Sequence, residues 1–198
     1  MSALPAVQER FSWSDYQQWP EGERWELIDG VAYNMSPAPT IQHQSITGRL
    51  YSRLEGRLSG KGCRPFIAPT DVKLSAFDVV QPDILVVCDP SKITTTHIEG
   101  APDLVVEVLS PSTSGKDLRE KKALYQRAGV PEYLVIHPLD RYASLFRLGE
   151  AGRYEEEIII TAEETLSLSI LEGEAIPLWE VFELPAPGSV PVVKGPGG

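Results

Sequence analysis

The sequence predicts an α/β fold in which a β-sheet is covered by helices, and three observations carry that expectation. The runs DILVV at 83–87 and LVVEVL at 104–109 are almost continuously apolar, as strands buried on both faces are. LVVEVL is followed by STSGKDLREKKALYQRAGV and then EYLVIH, which reads as strand, crossover helix, strand. Between about Pro39 and Gly60, Ile46, Leu50, Leu54 and Leu58 recur every four residues, one apolar stripe along a helix of about four turns.

A chain of 198 residues, 42% hydrophobic and 23% charged, has the composition of a globular domain and the length for one core. We expect a single domain over residues 1–184 and a flexible Pro/Gly-rich tail over 185–198, where PAPGSVPVVKGPGG carries few groups to bury. The formal net charge of -10 repels polyanions at long range and argues against a general nucleic-acid binder. A local basic patch or a bound divalent cation reverses that field around a few carboxylates, so a nuclease is not excluded. The amino terminus lacks a basic region followed by an apolar core, and no stretch reaches the ~18 apolar residues of a membrane helix, so a cytoplasmic protein without membrane contact is expected. Cys63 and Cys88 form no CxxC pair and read as two reduced, buried thiols.

Along the chain, Ser12 with Asp15 three residues later starts a short helix carrying Trp13, Tyr16 and Trp19. RWELIDGVAYNM folds as a hairpin around Asp29-Gly30. CRPFIAPTDVKL, VVQPDILVV and APDLVVEVL follow the Leu-stripe helix as three extended runs. RYASLFRL and GRYEEEIII form an antiparallel pair with the turn in LGEAG, and a short helix covers 176–182.

Glu107 interrupts LVVEVL where both neighbours are apolar, and an ionised carboxylate there needs an ion partner, hydrogen bonds or a metal. Asp83 opens DILVV at the mouth of a second hydrophobic strand, either as a turn residue or as the partner acid. Two such oxygen donors suit Mg²⁺ or Mn²⁺. At 100° per residue Asp117, Lys121, Leu124, Tyr125 and Ala128 share one arc, so Lys121 points from the centre of the packing face toward an acid or a substrate. Glu26 shares its strand face with Arg24 and Ile28, and alternation alone makes it solvent-facing. His43, at the start of the Leu stripe, reads first as a packing residue, and Asp71 as a turn acid. Arg49, Arg53 and Arg57 form a second stripe on the same helix, either solvated or tracking phosphates.

WELIDG at 25–30, His43, QPDILVV at 81–87, PDLVVEVLSPST at 102–113, the D-x-x-x-K-x-x-x-Y of Asp117, Lys121 and Tyr125, and AGVPEYLVIHP at 128–138 together resemble the Uma2 family. That family is similar to the PD-(D/E)XK nucleases, so the resemblance implies a restriction-endonuclease-like core with a central mixed sheet flanked by helices. It also implies that Asp83 is the first acid of the motif, Glu107 the second, and Glu26 a supporting acid. The sequence departs from the wider pattern in reading Glu107-Val108-Leu109, with Lys121 on the next helix replacing the missing strand lysine. The implied chemistry is metal-dependent hydrolysis of phosphodiesters in DNA: Asp83 and Glu107 hold Mg²⁺ or Mn²⁺, Lys121 acts on the water or the phosphoryl charge, and Tyr125, His43 and Asp117 stand behind them. A non-catalytic accessory protein that keeps the nuclease fold is the alternative. Cutting both strands of a duplex favours a homodimer, with hydrophobic edge strands near 141–160 as one source of its interface.

Overall fold

The structure is a computed structural model and describes residues 10–20, 22–35, 38–110 and 117–189, without the side chains of Asp117 and Leu118. Residues 190–198 of the expected tail lie outside the described residues, as does the 111–116 start of the expected crossover helix.

The chain opens with α1 (Trp13–Tyr16), where Asp15 accepts hydrogen bonds from the Ser12 amide and hydroxyl at 2.7 and 2.6 Å. Strands β1 (Trp25–Ile28) and β2 (Val31–Asn34) pair antiparallel around Asp29 and Gly30, both at positive φ, the conformation a two-residue hairpin turn requires. Helix α2 (Ile41–Leu58) is capped by Thr40, whose hydroxyl accepts the His43 amide, and it buries Ile46, Leu50, Leu54 and Leu58.

The first two extended runs are each broken at a proline and divided between two sheets. CRPFIAPTDVKL forms β3 (Arg64–Ile67) and β4 (Val72–Lys73), and VVQPDILVV forms β5 (Val79–Val80) and β6 (Ile84–Val87). Pro69 and Pro82 offer no amide to a ladder, so neither run stays in one sheet. Strands β7 (Ile98–Glu99), β8 (Leu104–Val108), β9 (Glu132–His137), β10 (Tyr142–Arg147) and β11 (Ile158–Thr161) follow. The central sheet has the order β11-β10-β9-β8-β6-β3, parallel only between β8 and β9, and a smaller sheet has the order β2-β1-β5-β4-β7. Only the end of GRYEEEIII joins the ladder. The expected helix over 176–182 is divided between β13 (Ala175–Pro177), which pairs with β12 (Thr165–Ser167), and a shorter helix over Leu178–Val181.

Between β8 and β9, a π-helical turn over Asp117–Lys121 leads into α3 (Lys122–Ala128), which ends at Gly129 in the left-handed conformation. The central sheet is thereby covered on both faces. Ile84, Val86, Leu104, Val106 and Val108 pack with α2 and with the carboxyl-terminal segment that ends in α4 (Leu178–Val181). Leu85, Val87 and Val105 pack on the other face with Leu124 and Tyr125 of α3 and with Val72, Val80 and Ile98 of the smaller sheet. This is the restriction-endonuclease-like architecture, a central mixed β-sheet flanked by helices. Among the described residues no helix is long and apolar enough to cross a membrane.

Two expectations are corrected. Cys63 and Cys88 are not reduced thiols but a disulfide, because the antiparallel β3–β6 register pairs Arg64 with Val87 and places the next two residues opposite one another, 3.9 Å apart at Cα. The arginine stripe of α2 is not simply solvated: it is partly exposed, and each arginine has a carboxylate partner. Arg49 pairs with Glu183, Arg53 with Glu180 at 2.8 Å, and Arg57 and Lys61 with Glu174.

Candidate active site

Alternation along β8 sends Leu104, Val106 and Val108 to the α2 face, so Glu107 points the other way, toward α3. It is 4% exposed and accepts hydrogen bonds at one oxygen from the Lys121 ammonium at 2.8 Å and the Tyr125 hydroxyl at 2.7 Å. Lys121, 3% exposed, also lies 2.8 Å from Glu26. The π-helical turn before α3 directs Lys121 inward, and Leu124 and Tyr125 continue its buried face. π-Helical turns of this kind are frequent at functional sites.

Glu26 is 2% exposed, against the solvent-facing position that strand alternation predicts. The reason is tertiary. The smaller sheet brings β1 beside β5, where the Gln81 amide donates to Glu26 at 3.1 Å, and the loop before α3 delivers Lys121 to the same oxygen. Tyr125 is fully buried. Loss of solvation and then the negative charges of Glu107 and Glu26 hold its hydroxyl far above the ordinary phenol range, so it remains a donor.

Asp83 immediately precedes β6. One of its oxygens accepts the amide of Val108, the residue after Glu107, at 2.8 Å and lies 3.2 Å from His43 Nε2. His43 is buried and touches both Asp83 and Thr47, so it is at once a packing residue and a neighbour of the acid. The structure therefore brings Glu26, Glu107, Lys121 and Tyr125 together and holds Asp83 and His43 against the same strand end. The side chain of Asp117 lies outside the described residues. Asp71 is removed from this group and accepts from Tyr16 and Gln81. Gln81 is the residue to which sequence reasoning gave no role. No local signal marked it, because its amide meets Glu26, 55 residues earlier in the chain.

A family model described as "Uma2: Putative restriction endonuclease" matches residues 13–178. The chain belongs to the Uma2 family. A curated relative, "Uncharacterized protein slr1290" of Synechocystis sp. (strain ATCC 27184 / PCC 6803 / Kazusa), is 32% identical over 149 residues, which span 72% of this chain and 77% of that protein. The crystal structure of "a putative nuclease belonging to DUF820" from Anabaena variabilis ATCC 29413 superposes with a TM-score of 0.72 at 18% identity, covering 87% of this chain and 98% of the other. Family and fold make this a nuclease-like protein.

Among the described residues no group of three or more His, Cys, Asp or Glu side chains is gathered into a metal cage. Mg²⁺ does not require one: it is commonly held by one or two carboxylates and completed by water. Asp83 and Glu107 are hard oxygen donors at adjoining strand ends, which fits such an ion chemically.

Proposed function

We propose that the protein is a metal-dependent endonuclease that hydrolyses phosphodiester bonds in DNA. The observation that supports this reading is the meeting of three elements. The Lys121 ammonium of the π-helical turn touches Glu107 of β8 at 2.8 Å, while Asp83 before β6 accepts the very next amide. Two acids and a lysine in one place are the set from which PD-(D/E)XK chemistry is built.

In this reading Asp83 and Glu107 hold Mg²⁺ or Mn²⁺, with the Val108 carbonyl as a further oxygen. When bound, such an ion polarises a phosphoryl oxygen and makes water easier to deprotonate. The chain's own groups do the rest. Lys121 directs its N–H donors to the attacking water or the developing phosphoryl charge. Tyr125 keeps its proton and fixes the Glu107 carboxylate, Glu26 balances and aims Lys121, and His43 orients Asp83. A homodimer would present two such sites to a duplex. Strand β11 supports that arrangement, since it is an edge of the central sheet with Ile158 and Ile159 exposed.

One observation favours a second reading, a non-catalytic accessory protein. The acids of the cluster are engaged by Lys121, Tyr125 and the Gln81 amide, which a purely structural network would also achieve. Cleavage assays with Mn²⁺ or Mg²⁺ on single-stranded, nicked, supercoiled and linear DNA at low salt separate the two. Endonuclease function requires that Glu107→Gln and Asp83→Asn each lower cleavage at least about 100-fold while thermal unfolding shows a folded protein. Equal cleavage by wild type and E107Q, or none on any substrate, gives the accessory reading the advantage.

A further inference from the structure

Gln81 faces two ways. Its backbone amide donates to Glu26 in the cluster described above, while its side chain enters the wall of a cavity of about 290 Å³. That volume is at the lower end of small-ligand sites, which start near ~300 Å³. That is room for one heterocyclic base.

The walls are those a flat ring selects. Phe66 and Ile93 line the cavity and rest on the hydrophobic core, so their positions are fixed from behind. The exposed Arg64 guanidinium lies 5.5 Å from the Phe66 ring centroid. His97 also lines the cavity and is held by Glu99 at 3.0 Å and by Trp13, 4.7 Å between ring centroids.

The polar groups are a carboxylate and an amide side by side. Gln81 Nε2 donates to Asp71 at 2.8 Å, Tyr16 donates to the same Asp71 oxygen at 2.8 Å, and Arg24 donates to Gln81 Oε1 at 2.9 Å. Burial and the neighbouring Asp71 push the Tyr16 phenol well above its ordinary range, so it stays a donor and fixes Asp71 as an acceptor. An ionised carboxylate only accepts, and it has about four lone-pair sites; these two donors both sit on Oδ1, which leaves Oδ2 to accept from a ligand. It repels phosphate and selects a ligand edge that presents N–H groups. Among the four bases, guanine alone presents two adjacent N–H donors on its Watson–Crick edge. Only an unpaired nucleotide exposes that edge.

The cavity also lies at the right place along a strand. Gln81 and Asp83 are separated by one residue, so their Cα atoms are no more than about 7 Å apart, close to the reach of one nucleotide. We propose that this cavity is a nucleobase subsite that takes an unpaired guanine beside the phosphate being cut, with Asp71 as the reader and Phe66 as the stacking face. The placement beside a cut phosphate rests on the endonuclease reading above.

Calorimetric titration of the full-length protein in EDTA with guanosine, inosine, cytidine and uridine tests the subsite without metal or turnover. Guanosine should bind saturably, and inosine, which lacks the 2-amino group, should bind at least tenfold more weakly, as should the two pyrimidine nucleosides. Asp71→Asn and Phe66→Ala should each weaken guanosine at least tenfold, with thermal unfolding confirming a folded protein. The inosine comparison uses the wild type, so a poorly folding variant does not remove the test. Absence of saturable guanosine binding below about 10 mM, near the weak limit of measurable association, overturns the subsite even if DNA is cut. Equal affinity for all four nucleosides also overturns it. Selective guanosine binding by a protein that cuts no DNA supports the base reader and places the failure in the cleavage reading.

Discussion

Replacing Lys121 with methionine should test whether the buried cluster depends on its cation. Lys121 and its two partners have side-chain exposures of 4%, 2% and 5%, so solvent screens the pairs little. Methionine keeps the length of the side chain and removes the charge. The two carboxylate oxygens that shared the ammonium, each 2.8 Å from it, are then at most about 5.6 Å apart, twice 2.8 Å, and repel in a low-dielectric interior. Breaking a buried pair typically costs about 3–5 kcal/mol. The Tyr125 and Gln81 donors remain on Glu107 and Glu26, which favours the lower figure, about 3 kcal/mol at pH 8. Urea unfolding of wild type and K121M at pH 8 measures this, and adding Glu107→Gln to K121M should restore part of the loss. A deficit below about 1 kcal/mol, with no recovery in the double variant, would refute the claim that the lysine holds the two acids together.

Two further outcomes follow from the same structure. The phenols of Tyr125, Tyr154 and Tyr16 are raised chiefly by burial, so their contribution to stability is complete below about pH 10 and is lost as pH rises. Absorbance titration should show these three of the seven tyrosines ionising only as the protein unfolds, and reversible ionisation near the ordinary phenol value of about 10 in folded protein would contradict their burial. The Cys63–Cys88 bond closes a loop with a sequence separation of 25. Cys63→Ser, compared with the oxidised wild type, should lower unfolding free energy by about 3 kcal/mol through the entropy of the unfolded chain, and equal denaturant midpoints would show that the bond adds nothing.

Much of the fold was legible because its signals are local. The apolar runs of β6 and β8, the four-residue spacing on α2, Asp29-Gly30 and the Gly129 stop each follow from a few neighbouring residues. Lys121 was legible for the same reason, as one face of one helix. What the sequence concealed depends on contacts between distant segments. Glu26 is buried because residues some 55 and 95 positions later close over it. The disulfide depends on strand register, and the partners of Arg49 and Arg53 lie 134 and 127 residues further along the chain. The division of VVQPDILVV between two sheets was written locally, in Gln81-Pro82, but a proline marks where a ladder stops and not where the chain goes next.

The acidic clamp on α2 bears on how any nucleic acid would sense salt. A lysine or arginine that binds phosphate normally sheds its share of condensed counterions from the polymer, and affinity then falls steeply as salt rises. Arg49, Arg53 and Lys61 already have tethered counterions in Glu183, Glu180 and Glu174, carried by the same polypeptide. A phosphate reaching this face must displace a carboxylate that cannot diffuse away, and rising salt weakens the clamp as well as the new contact. The two dependences oppose one another, so this surface can meet a polyanion without the steep ionic-strength response of an open arginine row.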